Sequence, residues 1–67
     1  MTIWVNQQSK EVDRSINIEQ LMQLLQKSEK KGIAVALNNK VIGRSNWSAT
    51  MLQEQDKITI IIATQGG

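Results

Sequence analysis

The segment from Lys57 to Ala63 most restricts how this chain can fold. It carries isoleucine at positions 58, 60, 61 and 62. In an extended strand Ile58, Ile60 and Ile62 fall on one face and Thr59, Ile61 and Ala63 on the other. A strand apolar on both faces belongs inside a sheet, with neighbours along both edges. The segments before it in the 67-residue sequence can supply those neighbours. A chain of this length has room for one domain, residues 1–67. Such a domain buries only about 60% of the surface its unfolded form exposes. Small folds often add disulfides or metals as staples. With no cysteine and no histidine, a disulfide framework, a zinc site and thiol chemistry are excluded, and the core must carry the fold.

The earlier segments supply those neighbours. Thr2 to Asn6 alternates, with Ile3 and Val5 on one face and Trp4 and Asn6 on the other, which is the pattern of a half-buried strand. Asn6 to Ser9 reads as a turn. Lys10 to Arg14, with Val12 set between charges, reads as a short edge strand returning in a hairpin. Its charges discourage pairing with other chains. Ile33, Val35 and Leu37 alternate with Ala34 and Ala36 and form a strand. Asn38 to Lys40 is a turn, and Val41 and Ile42 make a short strand stopped by Gly43. Arg44 to Gln55 is a long connection anchored in the core by Trp47 and Leu52.

One helix lies between the two strand pairs. Asn17 is a good N-cap, because its side-chain oxygen accepts from a backbone N–H of the first turn. Gln20 stands three residues on and completes a capping box, while Ile16 and Leu21 are placed for a hydrophobic staple. Ile18, Leu21, Met22 and Leu25 repeat at helical spacing, with Leu24 off the centre of the stripe. Lys27, Lys30 and Lys31 suit the C-terminal end of a helix dipole. Gly32 offers a left-handed residue where the chain turns back. The order is ββαββ and a last strand, an α+β arrangement in which one helix covers one face of a mixed sheet. The simplest packing sets the last strand beside the first, in parallel, at the middle of the sheet. Thr64-Gln65-Gly66-Gly67 then leaves as a flexible tail.

Several function classes are disfavoured. The formal charge is +2 and the only aromatics are Trp4 and Trp47. Neither tryptophan sits in the basic run, so the basic–aromatic interleaving of nucleic-acid binders is missing. No apolar run approaches the roughly 20 residues that span a bilayer, and Met1-Thr2-Ile3-Trp4 lacks the pattern of a secretory signal. A cytoplasmic protein without membrane or nucleic-acid partners is the expectation. An enzyme is not expected. General acid–base work most often uses histidine. Glu11, Asp13, Glu19, Glu29, Glu54 and Asp56 are scattered, and Ser45, Ser48 and Thr50 have no base to activate them. Asp56 is expected to fix a turn by bonding nearby backbone N–H groups. No metal ligand set and no cofactor site are visible.

The chemistry is expected at the end of the chain. Glycine has no Cβ, so a Gly66-Gly67 terminus can thread a narrow channel into another protein's site. The terminal carboxylate, with a pKa of about 3.5, is ionised at neutral pH. It is a poor electrophile that a partner must activate, for example as an acyl-adenylate. A partner surface is also expected. If Ile3, Val5, Ile58, Ile60 and Ile62 point to the helix, Trp4 and Ile61 point away from it. The proposed pairing makes them close neighbours on the open sheet face, flanked by Ala34 or Ala36. Together they form a patch suited to a partner.

The run Ala36-Leu37-Asn38-Asn39-Lys40-Val41-Ile42, then Arg44, Trp47, Leu52, Glu54, Asp56, Ile58 and the terminal Gly66-Gly67, resembles the ThiS family of sulfur carriers in thiamine biosynthesis. Ile3-Trp4-Val5-Asn6 and the helix from Ile18 to Leu25 are similar too, so the likeness covers the whole chain. It implies a ubiquitin-like β-grasp fold. It also implies that a ThiF-type adenylating enzyme consumes ATP and magnesium to activate Gly67. A sulfur donor such as a cysteine desulfurase then yields a thiocarboxylate, which serves the thiazole synthase ThiG. The partner contacts would come from Trp4, Ile61 and Gln65. Three positions depart from the family pattern: Gly43 where proline is common, Gln55 where glycine precedes the aspartate, and Gln65 where a smaller residue is usual. The small subunit of molybdopterin synthase shares the diglycine and the adenylation, though those chains are usually longer and more aromatic. A ubiquitin-like modifier, which would form isopeptide bonds to lysines, is a third reading.

Overall fold

The computed structural model describes residues 1–25 and 32–62. Its elements are β1 (Thr2–Val5), β2 (Gln8–Glu11), α1 (Ile18–Leu24), β3 (Ile33–Leu37), β4 (Lys40–Ile42), a 3-10 turn at Arg44–Asn46, and β5 (Lys57–Ile62). The sheet order is β2-β1-β5-β3-β4. The apolar last strand is therefore central, as its two-faced isoleucine content demands. It runs parallel to β1 and antiparallel to β3. This mixed sheet with one helix is the β-grasp arrangement.

Both hairpins close on two-residue turns with positive φ at each central position. The angles are 50° and 72° at Asn6-Gln7, and 50° and 72° again at Asn38-Asn39. Positive φ at both positions matches the right-handed twist of the flanking strands, which is why such turns dominate two-residue hairpins. The first turn is tighter than the sequence suggests, and β2 accordingly begins at Gln8 rather than Lys10. Val5 pairs with Gln8 and Thr2 with Glu11. Val12 follows the strand and exchanges bonds with the N-terminus, its N–H donating to the Met1 carbonyl at 2.9 Å and its carbonyl accepting from the Met1 amine at 2.6 Å.

The N-terminus of α1 has a complete capping box. Gln20 N–H donates to Asn17 Oδ1 at 2.7 Å, and Asn17 N–H donates to Gln20 Oε1 at 2.9 Å. The remaining first-turn donors go to the long connection: Ile18 N–H reaches the Thr50 carbonyl at 3.1 Å and Glu19 N–H the Trp47 carbonyl at 3.4 Å. Leu52 N–H in turn donates to the Ile16 carbonyl at 2.9 Å. The irregular segment is thus bound to the start of the helix by its own backbone. The helix ends at Leu24, with Leu25 as C-cap. Lys27, Lys30 and Lys31 lie outside the described residues. Gly32 has φ 73°, the left-handed conformation expected of it.

The core joins Ile3, Ile16, Ile18, Leu21, Met22, Val35, Trp47, Leu52, Ile58 and Ile60. Leu24 is 61% exposed, in keeping with its place off the stripe. Trp47 is fully buried, and its Nε1–H donates to the Ile42 carbonyl at 3.0 Å. That bond satisfies the one polar atom of the largest core side chain. The Arg44 guanidinium lies 4.5 Å from the Trp47 ring centroid, a cation–π contact. Ile62 shares the parity of Ile58 and Ile60 but is 52% exposed, because β5 runs past the end of the packed core.

Candidate functional site: the open sheet face

The sheet face away from α1 is the one expected to carry a partner patch, and strand register decides what lies together on it. In β5 that face shows Lys57, Thr59 and Ile61; in β3 it shows Ala34 and Ala36; in β1 it shows Thr2 and Trp4. Trp4 pairs with Lys57, whereas Ile61 pairs with Ala34. Four residues of β5 therefore separate the levels of Trp4 and Ile61, roughly 13 Å along the strand. The expected Trp4–Ile61 patch does not exist. The parallel register of β1 on β5 splits it into two sites, one at each end of the central strand.

The Trp4 end is a groove of about 460 Å³ lined by Trp4, Gln7, Asn39, Lys57, Ile58 and Thr59. The two hairpin turns form its sides. Trp4 is half-buried, and its indole Nε1–H donates to Gln55 Oε1 at 3.0 Å. Gln55 has φ 70°, so the backbone needs the conformation that glycine adopts without strain. The side chain placed there instead holds the indole. The neighbouring Asp56 is structural, as expected. Its Oδ2 accepts from Gln53 N–H at 2.7 Å and its Oδ1 from Asn38 Nδ2 at 3.1 Å.

The Ile61 end is apolar. Ile61 is 52% exposed beside Ala34, and Ala36 pairs with Val41, which is 69% exposed. The two alanines make a low floor between two protruding aliphatic side chains. Val41 escaped the sequence reading. Its signal was the Asn38-Asn39 turn, which sets Ala36 opposite Val41 and so puts Val41 on the open face. Lys57 was also missed as the cross-strand neighbour of Trp4.

Gln65, Gly66 and Gly67 lie outside the described residues. The last described residue, Ile62, belongs to the central strand. Among the described residues no helix is long and apolar enough to cross a membrane.

A comparison with curated proteins returns no match. Among solved structures the chain is similar to the crystal structure of a thiamine biosynthesis protein, ThiS, from Geobacter metallireducens. The two are 28% identical with a TM-score of 0.85, covering 100% of both chains. The solution structure of a thiamine biosynthesis protein from the same organism gives 28% identity and a TM-score of 0.80, covering 100% of this chain and 88% of the other. The family model described as the ThiS family matches residues 3–67, from the first strand through the diglycine. The chain therefore belongs to the ThiS family, whose members are small sulfur carriers rather than catalysts.

Proposed function

We propose that the carboxylate of Gly67 is the working group of this carrier, activated as an acyl-adenylate by a ThiF-type enzyme and then converted to a thiocarboxylate. In the first step a carboxylate oxygen attacks the α-phosphorus of ATP and pyrophosphate leaves. ATP and magnesium are substrates of the partner, and neither is a resident cofactor of this chain. The terminal sulfur of a persulfide on a donor such as a cysteine desulfurase then displaces AMP to give an acyl disulfide. A thiol cleaves the S–S bond, releasing the thiocarboxylate and leaving the donor in a disulfide. The resulting thiocarboxylate is a soft nucleophile on a protein handle, and it delivers sulfur to a thiazole synthase, ThiG, for the thiazole of thiamine. Gly66 leaves the approach to the reacting carbonyl free of a side chain. Trp4, Ile61 and Gln65 are the proposed partner contacts, with Val41 joining Ile61.

The observation that carries this reading is the family match reaching Gly67, in a chain whose last five residues follow the central strand directly. Intact mass spectrometry tests it. Incubation with ATP, magnesium, a ThiF-type enzyme, a sulfur donor and a thiol reductant should exchange one oxygen for sulfur. Removal of Gly67 should abolish the exchange. An unchanged mass under conditions that convert another ThiS-family carrier would refute the reading.

A further inference from the structure

We infer that the free edge of β5 at Ile60–Ile62 is a strand-pairing site for an extended segment of the adenylating partner, an inference that rests on Gly67 being the reacting terminus. The register dictates which β5 groups are available. On the β1 side, Trp4 N–H donates to the Asp56 carbonyl at 2.8 Å and Asn6 N–H to the Ile58 carbonyl at 2.9 Å. The next ladder position is Ile60 N–H, which donates to Asn6 Oδ1 at 2.8 Å. The even-numbered residues of β5 thus face β1.

β1 ends at Val5, beside Ile58, and Asn6 turns the chain away into β2. Among the described residues no strand lies beside the Ile60 carbonyl and the Ile62 N–H. Side chains flank this edge on both faces, Ile61 on the open face and Ile62 on the other, each 52% exposed. Main-chain groups that supply affinity, with alternate side chains that supply specificity, are the elements of strand addition.

Two features select the occupant. The Asn6 side chain closes Ile60 N–H, so an added strand can begin only beyond it. That leaves an edge too short for a lasting sheet between two copies of this chain. A segment pairing there must be held by a second contact. Gly67 is five residues beyond Ile62, at most roughly 17 Å in extended chain. A protein that encloses the Gly67 carboxylate is therefore held within that distance of this edge, and its grip on the terminus provides the second contact.

The test replaces the Ile61–Ile62 amide with an ester by semisynthesis, which removes the Ile62 N–H and weakens the Ile61 carbonyl as an acceptor in its pair with Ala34. The Ile62 N–H has no partner within the described residues, so thermal stability should fall only by the small amount due to the weaker Ile61 acceptor, the same with and without the partner. The KM of the adenylating enzyme for the carrier should rise roughly fivefold to tenfold, the effect of one lost hydrogen bond, with kcat unchanged. In the unmodified protein, hydrogen exchange at Ile62 should slow when the partner is added, while Ile61, already paired with Ala34, should change little. If the unmodified chain is adenylated but the ester shows the same KM and Ile62 exchange is unaffected, edge pairing is overturned. Slowing of Ile62 exchange on concentrating the carrier alone would place a second copy there and overturn it equally. A failure of the unmodified chain to be adenylated at all would instead remove the reading of Gly67 on which the inference stands.

Discussion

Asn6 and Asn38 bracket the central strand in the same way from opposite sides. Each opens a hairpin turn at φ 50°. Each donates its own N–H to β5, Asn6 to the Ile58 carbonyl at 2.9 Å and Asn38 to the Lys57 carbonyl at 2.8 Å. Each then substitutes a side-chain oxygen for the carbonyl its backbone has turned away. Asn6 Oδ1 accepts from Ile60 N–H at 2.8 Å, and Asn38 Oδ1 accepts from Lys57 N–H at 3.0 Å. Asparagine is suited to both tasks, because it tolerates the left-handed region and its short amide can stand in for a backbone group. The pair continues the ladder past the ends of β1 and β3.

Asn38→Ala should remove both properties at once. It deletes the acceptor for Lys57 N–H and the bond to Asp56, and it forces a Cβ-bearing residue without a local hydrogen bond into positive φ. The expected loss is about 2–3 kcal/mol, read from urea denaturation. Asn38→Gly keeps the backbone permissive and should recover about 1 kcal/mol of that loss. Equal losses in the two variants would show that turn conformation contributes nothing.

Gly43→Pro should stabilise the protein. Gly43 has φ −63° and ψ 149°, angles that proline adopts without strain. A Cβ built at this position meets nothing within 4 Å, and the preceding Ile42 is already extended, as a residue before proline must be. The expected gain is about 0.4–1 kcal/mol, arising from a stiffer unfolded chain, and it should appear as a higher denaturation midpoint with an unchanged slope. A loss would mean that the Gly43 N–H or the freedom of the turn matters to the fold.

Gln55→Gly separates strain from function at the groove. Glycine relieves the positive φ of 70°, worth about 1 kcal/mol, but removes the acceptor of the Trp4 indole. Stability should hold or rise slightly, while the Trp4 Nε1–H resonance shifts and exchanges faster. The Trp47 Nε1–H, bonded to the Ile42 carbonyl in the core, should stay where it is. An unmoved Trp4 signal would show that Gln55 does not position the indole.

The local chemistry of this chain was easier to read than its registers. The capping box at Asn17 and Gln20, the anchors Trp47 and Leu52, and the central place of β5 follow from residue type and spacing. Gly32 and Gln55 both have positive φ; Gly32 was legible from residue type, and Gln55 only through the family resemblance, in which glycine is common at that position. What was not legible depends on where one strand slides against another. Two-residue turns at Asn6 and Asn38 are set by twist matching, and they shifted β2 toward the turn and placed Val41 on the open face. The parallel offset of β1 on β5, fixed by the Trp4 and Asn6 bonds to β5, parted Trp4 from Ile61. No periodicity within either strand encodes that offset.

That separation has a measurable consequence for partner binding. Trp4→Lys and Ile61→Lys each place a charge on the open face, in two sites roughly 13 Å apart along the central strand. Each should weaken the complex with the adenylating partner by about 1–3 kcal/mol if its site is part of the interface, with little effect on folding because neither side chain is in the core cluster. Sites this far apart, sharing no partner side chain, should be additive within about 0.5 kcal/mol. Calorimetric titration of the two single variants and the double variant measures the coupling. A coupling well above that limit would mean that one partner element spans both sites, so that the groove and the aliphatic patch act as a single surface despite their separation. Additivity would leave them as independent contacts. Val41→Lys should then couple more strongly to Ile61→Lys, with one strand between them, than to Trp4→Lys, with two strands between.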